Sequence, residues 1–168
     1  MPASHAYRTR LVERRDADAL RAIYNVEVLE STVTFDLVPR MRAEQVAWID
    51  EHSGGHPAIV AVDDDGEVGG FASLSPYRPR PAYATTVEDS VYVDADYQGR
   101  GIGKLLLGEL VRLGTAHGFH AMIGRIVDRN EPSIKLHESC GFRLIGIERE
   151  VGRKFGRWLD VAVMQRML

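Results

Sequence analysis

The seven residues Gln98-Gly99-Arg100-Gly101-Ile102-Gly103-Lys104 place three glycines between a strand-like run and a helix-like one. Residues 85–93 before them are mostly β-branched and aromatic, and Ile102, Leu106, Leu110 and Leu113 recur at helical spacing on one face. A strand that turns through glycine into a helix aims free backbone N–H groups and the positive end of the helix dipole at one spot, which suits a phosphate. Glycine is needed because the main chain must approach the anion in angles that a Cβ forbids, while Arg100 and Lys104 add positive charge. Two common phosphate loops fail on spacing. A Walker A loop needs glycine five residues before its Gly-Lys pair and Ser or Thr after it, where this chain has Gln98 and Leu105. A dinucleotide fingerprint begun at Gly99 needs a small residue where Lys104 stands.

Around this turn the chain alternates strand and helix signals. Residues 7–13 read as a first strand, and Asp16 as the N-cap of a helix whose apolar face is Ala19, Leu20, Ile23, Val26 and Leu29. Residues 31–40 break that period with β-branched residues and a proline, and a second short helix follows over 42–52. Residues 58–62 and 67–74 flank Asp63-Asp64-Asp65-Gly66, the turn chemistry of a β-hairpin. Pro76, Pro79 and Pro81 make 75–81 an exposed loop. After the long helix, which ends near Gly118, come a strand at 121–127, a helix at 131–140 opened by Pro132 and closed by Gly141, and strands at 143–151 and 158–165. There is no internal repeat or linker.

Composition narrows the function. A chain of 168 residues that is 45% hydrophobic and 27% charged has enough apolar content for one core without metals or disulfides. A net charge of -3 with scattered basic residues gives no reason to expect nucleic acid or an anionic membrane as partner. One cysteine, Cys140, allows neither an internal disulfide nor a CxxC site, and His5, His52, His56, His117 and His120 show no metal-ligand spacing, so no metal is expected. The first twenty residues hold no apolar run of signal length, and the expected location is the cytoplasm.

Gln98, Gly101 and Gly103 form Q-x-x-G-x-G, which resembles the pyrophosphate-binding motif of the GNAT acetyltransferases. About thirty residues on, Asn130-Glu131-Pro132-Ser133-Ile134-Lys135-Leu136-His137-Glu138-Ser139-Cys140-Gly141-Phe142 is similar to that family's second signature, an Asn before a short helix that ends in Gly-Phe. Ser31 to Phe35, Thr86 to Val93 and Gly152 to Asp160 further resemble the phosphinothricin and methionine sulfoximine acetyltransferases. The resemblance covers essentially the whole chain. It implies one domain over 1–168, an α/β (α+β) GNAT fold whose mixed, mostly antiparallel sheet has about seven strands with helices on both faces, acetyl-CoA as co-substrate, and a homodimer with the last strands and residues 154–158 as candidates for the interface or the pocket rim. It assigns the coenzyme to Gln98, Gly99, Arg100, Gly101, Ile102, Gly103 and Lys104, to Asn130 and Ser133, and to the main chain of Val91, Tyr92 and Val93, where the strand splays from its neighbour.

Acetyl transfer from a thioester needs a neutral amine, a polarised carbonyl and a thiolate that can leave. An α-amino group is largely protonated near neutral pH, so a carboxylate serves as general base; Glu88, which precedes the 91–93 strand end that faces the thioester in the resembled family, is the candidate, or is a solvated strand carboxylate. Where many relatives carry a tyrosine to protonate the thiolate this chain has His137, for which three roles stand open: acid, coenzyme contact or packed side chain. Cys140, three residues on, permits an acetyl-enzyme in principle, but its place before Gly141-Phe142 is that of a small packed residue. Arg78 and Arg80 are candidates for a bidentate grip on a substrate carboxylate, or are surface arginines. Phe35, Tyr77 and Tyr83 are candidate pocket walls, or core residues at loop edges. The favoured acceptor is the amino group of a small amino-acid-like molecule of the phosphinothricin, methionine sulfoximine or methionine sulfone type. A protein N-terminus, a polyamine, and a non-catalytic acetyl-CoA sensor are the alternatives.

Overall fold

A computed structural model describes residues 6–168, so His5 lies outside the described residues. The strands are β1 (Arg8–Leu11), β2 (Ala58–Val62), β3 (Val68–Pro76), β4 (Thr86–Val93), β5 (Ala121–Val127), β6 (Arg143–Lys154) and β7 (Arg157–Met167). The helices are α1 (Ala17–Glu30), α2 (Arg42–Glu51), α3 (Ile102–Ala116) and α4 (Glu131–Ser139). One seven-stranded sheet has the order β1-β2-β3-β4-β5-β7-β6. Every neighbouring pair is antiparallel except β4 and β5, which α3 joins as a crossover.

Alternation along the strands decides which layer each residue joins. On one face Leu106, Leu107 and Leu110 of α3 are wholly buried against Ala72, Leu74, Val87, Met122, Ala162 and Met164, with Cys140 and Phe142 in the same cluster. On the other face Leu20, Ile23, Tyr24 and Val28 of α1 and Ile49 of α2 pack on Val60, Val62 and Phe71. Each such large side chain contributes about 1.5–3 kcal/mol through burial. Helices thus cover both faces as expected, but α1 and α2 cover theirs only as far as Tyr92 of β4, and a pocket opens beyond them over β4, β5 and β7.

Two local expectations change. Asp16 does not cap α1: its buried carboxylate pairs with Arg10 at 2.7 and 2.8 Å and accepts the Glu13 N–H at 2.8 Å, closing a short 3₁₀ turn before the helix. A half-buried cation partner outcompeted the local cap. The last two strands run longer than their apolar patterns, through Lys154 and from Arg157, because they form a hairpin whose outer half is solvated. No helix among the described residues is long and apolar enough to cross a membrane.

Candidate active site

The site begins where two strands part. β4 pairs with β5 from Thr86–Ala121 to Asp89–Gly124 and no further, although β4 runs on to Val93 and β5 stays paired with β7 through Val127. The β4 edge from Ser90 to Val93 therefore faces a cleft with backbone polar groups that no strand takes up. Two cavities open into this cleft and share Val33, Val91, Tyr92, Asn130 and Ser133.

The larger, about 390 Å³, lies over the glycine-rich turn. Gly99 and Gly101 take φ of +74° and +82°, and a Cβ on either would meet no atom within 4 Å. Gly101 is the N-cap of α3, so the turn presents backbone N–H groups and a helix N-terminus to open space. Of the residues assigned to the coenzyme, Val91, Tyr92, Val93, Gln98, Gly99, Gly101, Ile102, Gly103, Asn130 and Ser133 line this cavity. Asn130 caps α4 by accepting the Ser133 N–H through Oδ1, and its amide N–H₂ is left for a ligand. Arg100 and Lys104 are not in the lining: Arg100 donates to the Tyr7 hydroxyl at 3.1 Å and the Asp96 carbonyl at 3.0 Å, and Lys104 is exposed. An open cradle of glycine main chain at a helix start, beside an unpaired strand edge, fits a pyrophosphate with an extended amide-bearing arm.

The smaller cavity, about 190 Å³, is lined by Phe35, Glu88, Asp89, Ser90, Arg125, Val127, His137 and Val161, among others. Glu88 is partly buried and makes no hydrogen bond or ion pair among the described residues. Its pKa is raised, chiefly by burial; Arg125 and Arg78 oppose the shift while Asp89 and Glu148 add to it. A carboxylate that is unpaired, half-desolvated and inclined to take a proton has the properties of a general base.

His137 lies at the floor. Its Nδ1 is 2.7 Å from the Ser133 carbonyl, which can only accept, so Nδ1 carries a proton. Its Nε2 is 2.9 Å from Asp89 Oδ1. Burial disfavours the charged ring, but the Asp89 carboxylate and the Ser133 carbonyl outweigh it and hold the pKa above its ordinary value. The ring fits only because residue 124 is glycine: a Cβ there would lie 2.7 Å from His137 Cδ2. Of the three roles left open, the geometry favours a packed side chain with both ring nitrogens engaged.

The remaining candidates divide. Phe35 is in the cavity wall and rests on Gly152, where a Cβ would overlap its ring. Its loop is tied down by Lys154, whose ammonium donates to the Glu27 and Thr34 carbonyls at 3.2 and 2.9 Å. Tyr77, Arg78, Arg80 and Tyr83 stand outside the lining. Tyr77 and Tyr83 meet edge to face at 5.5 Å, Arg78 lies 4.9 Å over Tyr77, and Arg80 is exposed. Arg125, Asp89 and Gly124 were not among the expected residues. Arg125 carried a readable signal, a lone charge inside the apolar run Ala121-Met122-Ile123-Gly124-Arg125-Ile126-Val127. Among the described residues no group of three acidic, His or Cys side chains is placed to hold a metal.

Comparison with known proteins agrees with this geometry. The model of the acetyltransferase (GNAT) family matches residues 20–142. The phosphinothricin N-acetyltransferase of Streptomyces coelicolor is 41% identical over 171 residues, covering 100% of both chains. The L-methionine sulfoximine/L-methionine sulfone acetyltransferase of Pseudomonas aeruginosa is 42% identical over 89% of this chain and 88% of its own. Among solved structures, a phosphinothricin acetyltransferase from Sinorhizobium meliloti in complex with AcCoA superposes with a TM-score of 0.93 at 40% identity, over 96% of this chain and 88% of its own. A ribosomal-protein-alanine N-acetyltransferase from Brucella melitensis also gives 0.93, at 36% identity over 96% and 99%.

Proposed function

Because this chain belongs to the acetyltransferase (GNAT) family, we propose that it transfers the acetyl group of acetyl-CoA to the amino group of a small amino-acid-like acceptor of the methionine sulfoximine, methionine sulfone or phosphinothricin type. The observation that carries this reading is the unpaired Glu88 carboxylate in the small cavity, beside the point where β4 leaves β5 and the two cavities join. Acetyl-CoA supplies the activated acetyl group. In one ternary complex the acceptor ammonium gives one proton to Glu88, the neutral nitrogen bonds to the acetyl carbon, the C–S bond breaks to release CoA thiolate, and the nitrogen's second proton passes to that thiolate, leaving the neutral amide and CoA thiol. Unpaired main chain from Val91 to Val93 meets the charge that develops on the carbonyl oxygen. Phe35 forms a wall of the acceptor space, and Tyr77, Arg78, Arg80 and Tyr83 act at its mouth rather than inside it. His137 serves as the charged anchor that joins α4 to β4, not as the acid for the thiolate.

A cavity of about 190 Å³ favours a small acceptor over a peptide segment. The likeness to a ribosomal-protein-alanine acetyltransferase keeps a protein N-terminus as the second reading. CoA release measured against sulfoximine, phosphinothricin, standard amino acids, spermidine and short peptides separates them. Saturable turnover on the first two, lost in Glu88→Gln with acetyl-CoA affinity intact, is expected; turnover on peptides alone overturns the acceptor class. The same reading includes a homodimer: β6 is a sheet-edge strand with Leu144, Ile145 and Val151 more than half exposed. Sedimentation at twice the chain mass is the expected result.

A further inference from the structure

Neither coenzyme binding nor the proton transfer just described uses the pair formed by Arg125 and Glu148. Strand registers put Glu88 opposite Ile123, Arg125 opposite Val163 and Glu148 opposite Val161, so Glu88, Arg125 and Glu148 share one sheet face. Arg125 stands between the two carboxylates, with only apolar Val161 and Val163 of β7 intervening. It has chosen one of them. Nη1 donates to Glu148 Oε1 at 3.0 Å and Nη2 to Oε2 at 2.6 Å, a bidentate fork with both partners about one-third exposed or less. Glu88 is left without a partner, in a cavity where desolvation would make a pair with Arg125 strong.

We infer that Glu148 is a positioning residue which restrains Arg125 away from Glu88, leaving that carboxylate open to the acceptor's ammonium while the guanidinium still acts on it from a distance. This rests on the reading of Glu88 as base. A bidentate pair fixes a guanidinium in both position and plane, which a single contact does not. The other charged groups near Glu88 do not replace it. Asp89 on the same strand is committed to His137 of α4, and Arg78, on the loop after β3, is exposed over Tyr77. Arg125 opposes the upward pull of burial on Glu88, and Glu148 adds to that pull.

The test compares four variants: Glu88→Gln, Glu148→Gln, Arg125→Gln and the double Arg125→Gln/Glu148→Gln. In Glu148→Gln the freed Arg125 swings onto Glu88, so kcat/KM at neutral pH falls about tenfold and its acid limb moves about one pH unit lower. In Arg125→Gln the acid limb moves upward. The double variant recovers activity relative to Glu148→Gln, because the quenching cation is gone; a merely structural pair predicts no recovery. Acetyl-CoA affinity stays within about twofold throughout, since neither side chain lines the coenzyme cavity. The milder Glu148→Asp serves if Glu148→Gln folds poorly, with a smaller change of the same sign. An inactive Glu88→Gln with no rescue in the double variant, or with both single variants moving the limb the same way, overturns the inference alone. A Glu88→Gln enzyme with full turnover overturns the base assignment and the inference with it.

Discussion

The two cavities that meet at the β4–β5 split are built on different principles. The larger cavity, over the glycine turn, is made mostly from one continuous stretch, Val91 to Gly103, with the capped start of α4 added, and it offers main chain. The smaller cavity is made of side chains: Phe35 from a loop, Glu88 from β4, Arg125 from β5, His137 from α4 and Val161 from β7. Backbone chemistry tolerates many side chains provided the dihedrals are right, so its signature is a short string rich in glycine. Side-chain chemistry needs residues far apart in the chain to arrive at one place, and its signature is spread too thinly for a motif.

If that division holds, acceptor-side changes should cut turnover without touching coenzyme affinity, and coenzyme-side changes should do the reverse. The largest expected effect is Glu88→Gln, with kcat lower by roughly 10²–10⁴-fold and the dissociation constant of acetyl-CoA unchanged by calorimetry. Because burial raises the Glu88 pKa, wild-type kcat/KM should fall on the acid side at a pH above the ordinary carboxylate range.

Asp89→Asn probes the floor of the smaller cavity. Removing the charge opposite the buried His137 should cost about 3 kcal/mol of stability in denaturant melts. The pH dependence has a definite sign. A raised folded-state pKa stabilises fully below the unfolded value of about 6.5 and the contribution is lost as pH rises through the folded value, so the gap to wild type should narrow in alkaline buffer.

On the coenzyme side, Gly101→Ala forces a side chain into φ +82°. The strain, about 1–2 kcal/mol, should weaken acetyl-CoA binding roughly tenfold and leave acceptor KM within a factor of about two. The smallest and most selective effect is Gly152→Ala, whose Cβ must displace the Phe35 ring. Acceptor KM should change about three- to tenfold, with acetyl-CoA affinity constant in the same preparation.

Legibility followed the same division. The strand–turn–helix around Gly99 and Gly101, the Asp63 to Gly66 hairpin and the Asn130-capped helix could be read because each depends on neighbours within about seven residues. Asp16 was misread by the same logic: it looks like an N-cap locally, but Arg10 of β1 claims it. Arg100 and Lys104 sit in the glycine-rich motif, but Arg100 turns to Tyr7 and the Asp96 carbonyl and Lys104 stays in solvent, contacts that the motif's local pattern does not record. Glu88 could be named as a candidate from its place ahead of the strand end. Its isolation was not, because that depends on Glu148, sixty residues away, holding Arg125.

By itself, then, the sequence determined the family, the order of strands and helices and the glycine turn between β4 and α3, and it put Glu88 forward as a candidate. These are properties of local dihedral preference, periodicity and glycine placement. Only the tertiary structure decided that β4 and β5 separate after Asp89 and Gly124, that both ring nitrogens of His137 are engaged rather than free, and that Arg125 faces Glu148 instead of Glu88. Each of those depends on register between strands far apart in the chain. A shift of one residue moves a side chain to the opposite face of the sheet, so no linear pattern records the outcome.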